Sequence, residues 1–198
     1  VLARMLRQRL HVPLVFTYHT KFDIDIANAI HSKRLQEASI KLLVENISAC
    51  DEVWTVSHGA GENLRSLGYQ GEYIVMPNGV DFPAGRLPEE KIRAVGEGLD
   101  LPDGVPLLLF VGRMMWYKGL RIILDALKQL KDEGRDFRMV FVGKGTDGDA
   151  IRAYAEELKL CDKVFFLAPC YDREIIRAWY CRADLFLFPS TFDTNGLV

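Results

Sequence analysis

The chain has 198 residues, 49% hydrophobic and 26% charged, with a formal net charge of -2. That near-neutral balance argues against bulk nucleic-acid binding, which requires a basic face, and the composition is that of an ordinary globular protein. No apolar run approaches the roughly 20 residues that a membrane span requires.

The length suits one large domain or two small or incomplete ones. Cys50, Cys161, Cys170 and Cys181 show no paired metal-ligand spacing. Their apolar surroundings lead us to expect reduced, buried thiols in a cytosolic protein. The pattern opens mid-element at Val1 and stops at Gly196-Leu197-Val198 as an apolar element begins, so a fragment of a longer protein is expected.

Residues 1–10 place Leu2, Leu6 and Leu10 on one helical face, with Arg4, Arg7 and Arg9 elsewhere. Pro13 to Thr17 reads as a short buried strand that delivers Tyr18-His19-Thr20 at its end. A helical stretch follows over about 22–49, with a break near His31-Ser32, and then a strand over 52–56. Ser57 stands where the next helix needs an N-cap, and that helix ends at Gly68, a residue suited to a left-handed terminus. Glu72 to Met76 is the next strand, closed by the turn signal Pro77-Asn78-Gly79.

Between Asp81 and Gly104 the composition shifts toward Pro and Gly, with a short charged helix around 89–95, as in a linker between domains. Beyond it the pattern is regular: strands at 106–111, 137–142, 163–167 and 184–188 alternate with helices at about 119–133, 147–159 and 172–181. Such alternation implies parallel βαβ units and a doubly wound layer.

The stretch Leu107 to Gly119 organises the second half. An unbroken apolar run up to Val111 predicts a strand buried on both faces, followed by Gly112, Arg113 and Lys118 before a helix opens. A guanidinium fork and an ammonium are thereby delivered to the carboxyl edge of a sheet, where ligands of open α/β sheets bind. Two cations beside a helix start suit a diphosphate. The other reading, two solvated residues of a βα loop, stays open at this point. Gly143-Lys144-Gly145 follows the next strand, where glycines let backbone approach a ligand or simply make a tight turn. Pro189-Ser190 leads to Asp193 and to the amides of Asn195, Gly196 and Leu197, which would open a further helix and offer an anion site. His19, alone after its strand, is either structural or functional.

Taken in order, Val-Gly-Arg…Lys-Gly (111–119), Val-Gly-x-Gly (142–145) and Phe-Pro-Ser-x-x-Asp…Gly-Leu (188–197) resemble the retaining glycosyltransferase family 4. Upstream, Thr-Tyr-His-Thr (17–20), Val-Ser (56–57) and Pro-Asn-Gly-Val-Asp (77–81) match the same family, so the resemblance spans nearly the whole chain. It implies an α/β fold of GT-B type, with two Rossmann-like doubly wound parallel-sheet domains, each incomplete here. Residues 1–81 would be the later part of the acceptor-side domain, 82–104 the linker, and 105–198 the beginning of the donor-side domain.

The resemblance also implies roles. Arg113 and Lys118 match the pair that holds the donor diphosphate, and Gly112, Gly143, Gly145 and Ser190 match the donor-side loops. Asp193 matches the first acid of an E-x7-E motif that contacts the donor sugar, although Asp is one methylene shorter; the second acid would fall beyond Val198. Asn195, Gly196 and Leu197 match the backbone that cradles phosphate, His19 the residue that reaches the donor sugar, and Ser57 an acceptor-side residue. The substrates implied are a nucleotide-sugar, UDP-glucose by default with GDP-mannose open, and a hydroxyl acceptor, with no separate cofactor. Tyr-His-Thr and Phe-Asp-Thr-Asn-Gly-Leu-Val look most like enzymes that glycosylate diacylglycerol or related lipids and alcohols. Such enzymes lie peripherally on the cytoplasmic face of a membrane. The basic residues of the first helix, with Lys33, Arg34 and Lys41, fit that placement or, equally simply, a solvated face.

Three rival readings remain. Asp23-Ile24-Asp25 and Asp147-Gly148-Asp149 have the D-x-D form that holds a divalent metal in another glycosyltransferase architecture, but neither follows a strand in the required way. A nucleotide-sugar epimerase of the same shape would act on the donor without an acceptor. A non-catalytic fragment would bind nucleotide only.

Overall fold

The computed structural model describes residues 2–190, 193, 194 and 196. Contacts divide them into two units, one holding the residues up to Val80 with Asp193, Thr194 and Gly196, the other Asp81 to Ser190.

The first unit carries three strands, β1 (Val15–Tyr18), β2 (Glu52–Thr55) and β3 (Ile74–Val75), parallel and in the order β1-β2-β3. Its helices are α1 (Leu2–Leu10), α2 (Phe22–Ala29), α3 (Lys33–Ser48) and α4 (His58–Ser66). Strand β1 begins two residues later than the apolar pattern suggests, because the Leu14 amide donates to Asp51 Oδ2 at 2.7 Å and not to a ladder partner. The helical stretch 22–49 is two helices. Ile30 takes extended backbone (φ -122°, ψ 115°), and its carbonyl accepts from the Gln36 side chain at 2.5 Å. Strand β3 is shorter than expected, since the Glu72 carbonyl accepts from the Tyr69 hydroxyl at 2.8 Å.

Tyr18 anchors this unit's core. It is fully buried among Ile47, Val53, Val56 and Leu64, and its hydroxyl donates to Asn63 Oδ1 at 2.7 Å. Burial, reinforced by the negative charge of Asp23, pushes its phenol from 10.0 up to about 12.

The second unit holds α5 (Glu89–Ala94), β4 (Leu107–Val111), α6 (Leu120–Asp132), β5 (Arg138–Val142), α7 (Gly148–Glu157), β6 (Val164–Leu167), α8 (Arg173–Arg182) and β7 (Leu185–Phe186). Its four strands are parallel in the order β6-β5-β4-β7, so the chain reverses direction across the sheet between β6 and β7. Alternate residues of β4 enter opposite layers. Leu108 and Phe110 pack with Leu120, Ile123, Leu124 and Leu127, the i, i+3, i+4, i+7 stripe of α6, while Leu107 and Leu109 pack with Trp179 of α8. Helices therefore cover both faces, as a continuous apolar strand demands.

Strand β7 is two residues long where the pattern suggests five. Just before it, the Asp184 side chain accepts from the Leu107 amide at 2.8 Å, standing in for a ladder carbonyl where the strand begins. Residues 81–104 pack within the second unit: Leu87 and Ile92 meet Ala178, Lys91 pairs with Glu174 at 2.7 Å, and Arg177 donates to the carbonyls of Ala84 and Gly85. The four cysteines are free but not buried as expected. Cys161 lies exposed in the turn from α7 to β6, and the other three are half-buried.

Tyr18 gives the fold a testable pH signature. Above its ordinary 10.0 the unfolded chain loses a phenol proton that the folded chain keeps until about 12, so stability falls as pH rises through that window. Tyr18→Phe is expected to cost about 1 kcal/mol at neutral pH through the lost hydrogen bond. It is also expected to make the alkaline decline shallower, as read by urea unfolding across pH.

Candidate functional site

In the second unit the register sets the site. Val111 pairs with Val142 and Val142 with Leu167, so β4, β5 and β6 end at one level and release their loops side by side. Those loops line a cavity of about 840 Å³ bounded by Gly112, Arg113, Met115, Lys118, Gly143, Lys144, Gly145, Thr146 and the 169–171 segment. The cavity lies at the carboxyl edge, where side chains and amides converge in open sheets of this kind.

Two backbone approaches close the floor. At Gly143, φ is 149° and a Cβ would stand 1.9 Å from the Gly112 carbonyl oxygen; at Gly145 one would stand 2.2 Å from that of Met114. The loops are also stitched together by Gly112 N–H to Val142 O (3.0 Å) and Met114 N–H to Lys144 O (3.1 Å).

The two cations meet at one ring. Arg113 Cζ is 5.8 Å and Lys118 Nζ 5.4 Å from the centroid of Tyr117, and Lys118 Nζ is 5.3 Å from that of Phe188. Lys118 is only 7% exposed, on a 3-10 turn over Trp116–Lys118, whereas Arg113 is exposed. A buried ammonium among aromatic faces sits where an anion's field is weakly screened. With Lys144 as a third cation at the mouth, the cavity is built for negative charge. Lys144 was not singled out from sequence, although its place between two glycines was the available signal. Tyr171, 82% exposed on the rim, had no sequence signal.

The other expected residues lie elsewhere. Ser190 follows Pro189, which packs on Gly119 at the start of α6; its buried hydroxyl has no hydrogen-bond partner among the described residues and does not line the cavity. His19 is exposed at the end of β1. Ser57 caps α4, accepting from the Ala60 amide at 3.1 Å, and its hydroxyl donates to Thr194 O at 2.7 Å. The Thr194 hydroxyl in turn donates to His19 O at 2.7 Å. One residue that the sequence did not flag thus ties His19 and Ser57 together, and Asp193 beside it groups with the first unit. Asn195 and Leu197 lie outside the described residues; Gly196 has φ of 60°.

Of the D-x-D pairs, Asp147 accepts from the Trp116 amide at 2.9 Å, while Asp23 and Asp25 fall in the first turn of α2. Among the described residues no three His, Cys, Asp or Glu side chains converge as metal ligands do.

The chain is similar to the Anabaena protein HepE solved with UDP and glucose, with a TM-score of 0.75 at 19% identity over 96% of this chain and 50% of that one. That likeness, with the two parallel sheets, fixes the fold class as GT-B, with partial domains. The model of the glycosyl transferases group 1 matches residues 93–198, and that of glycosyltransferase family 4 matches residues 1–82. The chain belongs to this glycosyltransferase family. Relatives include the alpha-monoglucosyldiacylglycerol synthase of Streptococcus pneumoniae, 24% identical over 100% of this chain and 45% of its own length. Another is the D-inositol 3-phosphate glycosyltransferase of Xylanimonas cellulosilytica, 32% identical over 96% of this chain and 48% of its own. The chain thus spans a little under half the length of these relatives.

The close approach at the cavity floor is checked by paired glycine substitutions. Gly143→Ala is expected to cost more than about 2 kcal/mol, from left-handed backbone strain and the clash with Gly112. Gly59→Ala, in α4 with open space around it, is expected to be neutral or stabilising by up to about 1 kcal/mol. Thermal unfolding of both variants reads the contrast.

Proposed function

We propose that the chain belongs to a retaining hexosyltransferase that moves a sugar from a nucleotide donor, with UDP-glucose the favoured candidate, to a hydroxyl acceptor. The observation that carries this reading is the pairing of Arg113 and Lys118 around Tyr117 at a glycine-floored cavity. In this reading Arg113 and Lys118 hold the diphosphate and stabilise charge on the departing nucleotide, usually the largest catalytic contribution available. Gly112, Gly143 and Gly145 bring backbone close to it, and the family resemblance assigns donor-side roles to Ser190, Asn195, Gly196 and Leu197 as well. His19 and Asp193 contact the donor sugar, and Ser57 lines the acceptor side.

Retaining glycosidases use a carboxylate nucleophile paired with a second carboxyl about 5 Å away. The family motifs supply no such pair, and a front-side transfer accounts for retention without one. The bond from the anomeric carbon to phosphate oxygen breaks, the acceptor oxygen bonds to that carbon on the same face, and the acceptor proton passes to the departing phosphate. Lys118→Ala and His19→Ala are both expected to lower turnover by about a hundredfold or more. Only Lys118→Ala is expected to weaken nucleotide binding. A donor screen with product analysis, alongside UDP calorimetry, separates the two effects; unchanged turnover in Lys118→Ala contradicts the reading.

The similarity to the alpha-monoglucosyldiacylglycerol synthase, with the motif resemblance, supports a membrane lipid as acceptor. No helix among the described residues is long and apolar enough to cross a membrane. A peripheral placement is supported by α1, where Leu2, Met5, Leu6 and Leu10 are 70%, 53%, 46% and 63% exposed beside Arg4 and Arg9. Arg7 instead pairs with Asp51 and the Ala49 carbonyl. The chain is expected to sediment with liposomes containing anionic phospholipid and to remain in the supernatant with neutral ones; equal recovery rules the placement out.

A further inference from the structure

We infer that Asp147 is a positioning residue for the phosphate site, fixing the loop that carries Arg113 and Lys118 against the loop of Gly143 to Gly145. This rests on the donor-site reading above and adds to it a residue outside the cavity. Asp147 occupies the N-cap of α7, where an aspartate ordinarily accepts from its own helix's amides. Here its side chain makes no cap bond. Instead Oδ2 accepts from the Trp116 amide at 2.9 Å, across to the neighbouring loop, and Thr146 Oγ1 lies 3.5 Å from Oδ1.

The placement of that bond gives it leverage. Trp116 is the first residue of the 3-10 turn, so its amide has no acceptor within the turn, and a carboxylate supplies a charge-assisted one. The Asp147 amide donates to Met114 O at 3.2 Å, so the same residue grips the loop on both sides of Met115. The Trp116 ring is held independently: Arg121 Cζ lies 4.8 Å from its centroid and 4.4 Å from that of Tyr154, whose hydroxyl donates to Asp125 Oδ1 at 2.5 Å. With residue 116 fixed at backbone and ring, the next two residues, Tyr117 and Lys118, are set in place, and Arg113 meets them on the Tyr117 ring.

Asp147 does not line the cavity, and a carboxylate touching a diphosphate would repel it, so its effect passes through the loop. Its side chain thereby has a use other than the metal binding that its D-x-D spacing suggests.

The test is calorimetric titration of the full chain with UDP, and with GDP in parallel, for wild type, Asp147→Asn, Asp147→Ala, Lys118→Ala and the Asp147→Ala/Lys118→Ala double variant, with melting temperatures measured alongside. Asp147→Ala is expected to weaken nucleotide binding about tenfold, the scale of one charge-assisted hydrogen bond lost. Asp147→Asn keeps a carbonyl acceptor for the Trp116 amide and is expected to stay within about threefold of wild type. In the Lys118→Ala background, Asp147→Ala is expected to cost less than about threefold, because the two act as one unit. Three results would overturn the inference while leaving the donor-site reading intact. These are wild-type affinity in Asp147→Ala with only the melting temperature lowered, an Asp147→Asn as weak as Asp147→Ala, or losses that simply multiply in the double variant. Wild type that binds neither UDP nor GDP overturns the donor-site reading and this inference together.

Discussion

The second unit depends on one arrangement, two positive side chains gathered on the ring of Tyr117 at the end of a strand covered on both faces. Bringing like charges together in a half-buried site costs free energy, and the surrounding structure supplies what offsets it. Aromatic faces of Tyr117 and Phe188 lie beside the Lys118 ammonium, and a 3-10 turn pinned at Trp116 keeps the geometry. The strand register then decides where those charges point: because β4, β5 and β6 end level, the cations face glycine backbone across a single cavity. In the proposed function such a site is prepared for an anion before any ligand arrives, which is how preorganised electrostatics favour charge that develops on a leaving group.

The first unit holds the other residues singled out from the sequence. His19 and Ser57 stand at the ends of β1 and β2, and Thr194 bonds to both. Ser57 serves twice, as acceptor for the α4 amide and as donor to Thr194, so its hydroxyl is committed to structure. His19, by contrast, is exposed at its strand end.

Much of this was legible in the sequence because it rests on periodicity. The run Leu107–Val111 could only be a strand covered on both sides, and the stripe Leu120, Ile123, Leu124, Leu127 could only face it. Gly143 and Gly145 were legible as a turn or as backbone free to approach a ligand, and the structure puts the carbonyl oxygens of Gly112 and Met114 where their side chains would be. What escaped were features set by single long-range hydrogen bonds. The late start of β7 after Asp184 and the late start of β1 at Asp51 each turn on one side chain capturing one backbone group, whereas the break between α2 and α3 falls where His31-Ser32 led us to expect it. Local propensity carries no record of such partners. The same holds for Thr194 and Asp147, whose importance comes from residues 175 and 31 positions away in the chain.

The most direct test is a crystal structure of the chain with UDP bound. The account predicts diphosphate density within hydrogen-bond reach of the Arg113 guanidinium and the Lys118 ammonium, over the backbone of Gly112 and Gly143. A nucleotide bound with its phosphates away from both cations would contradict it.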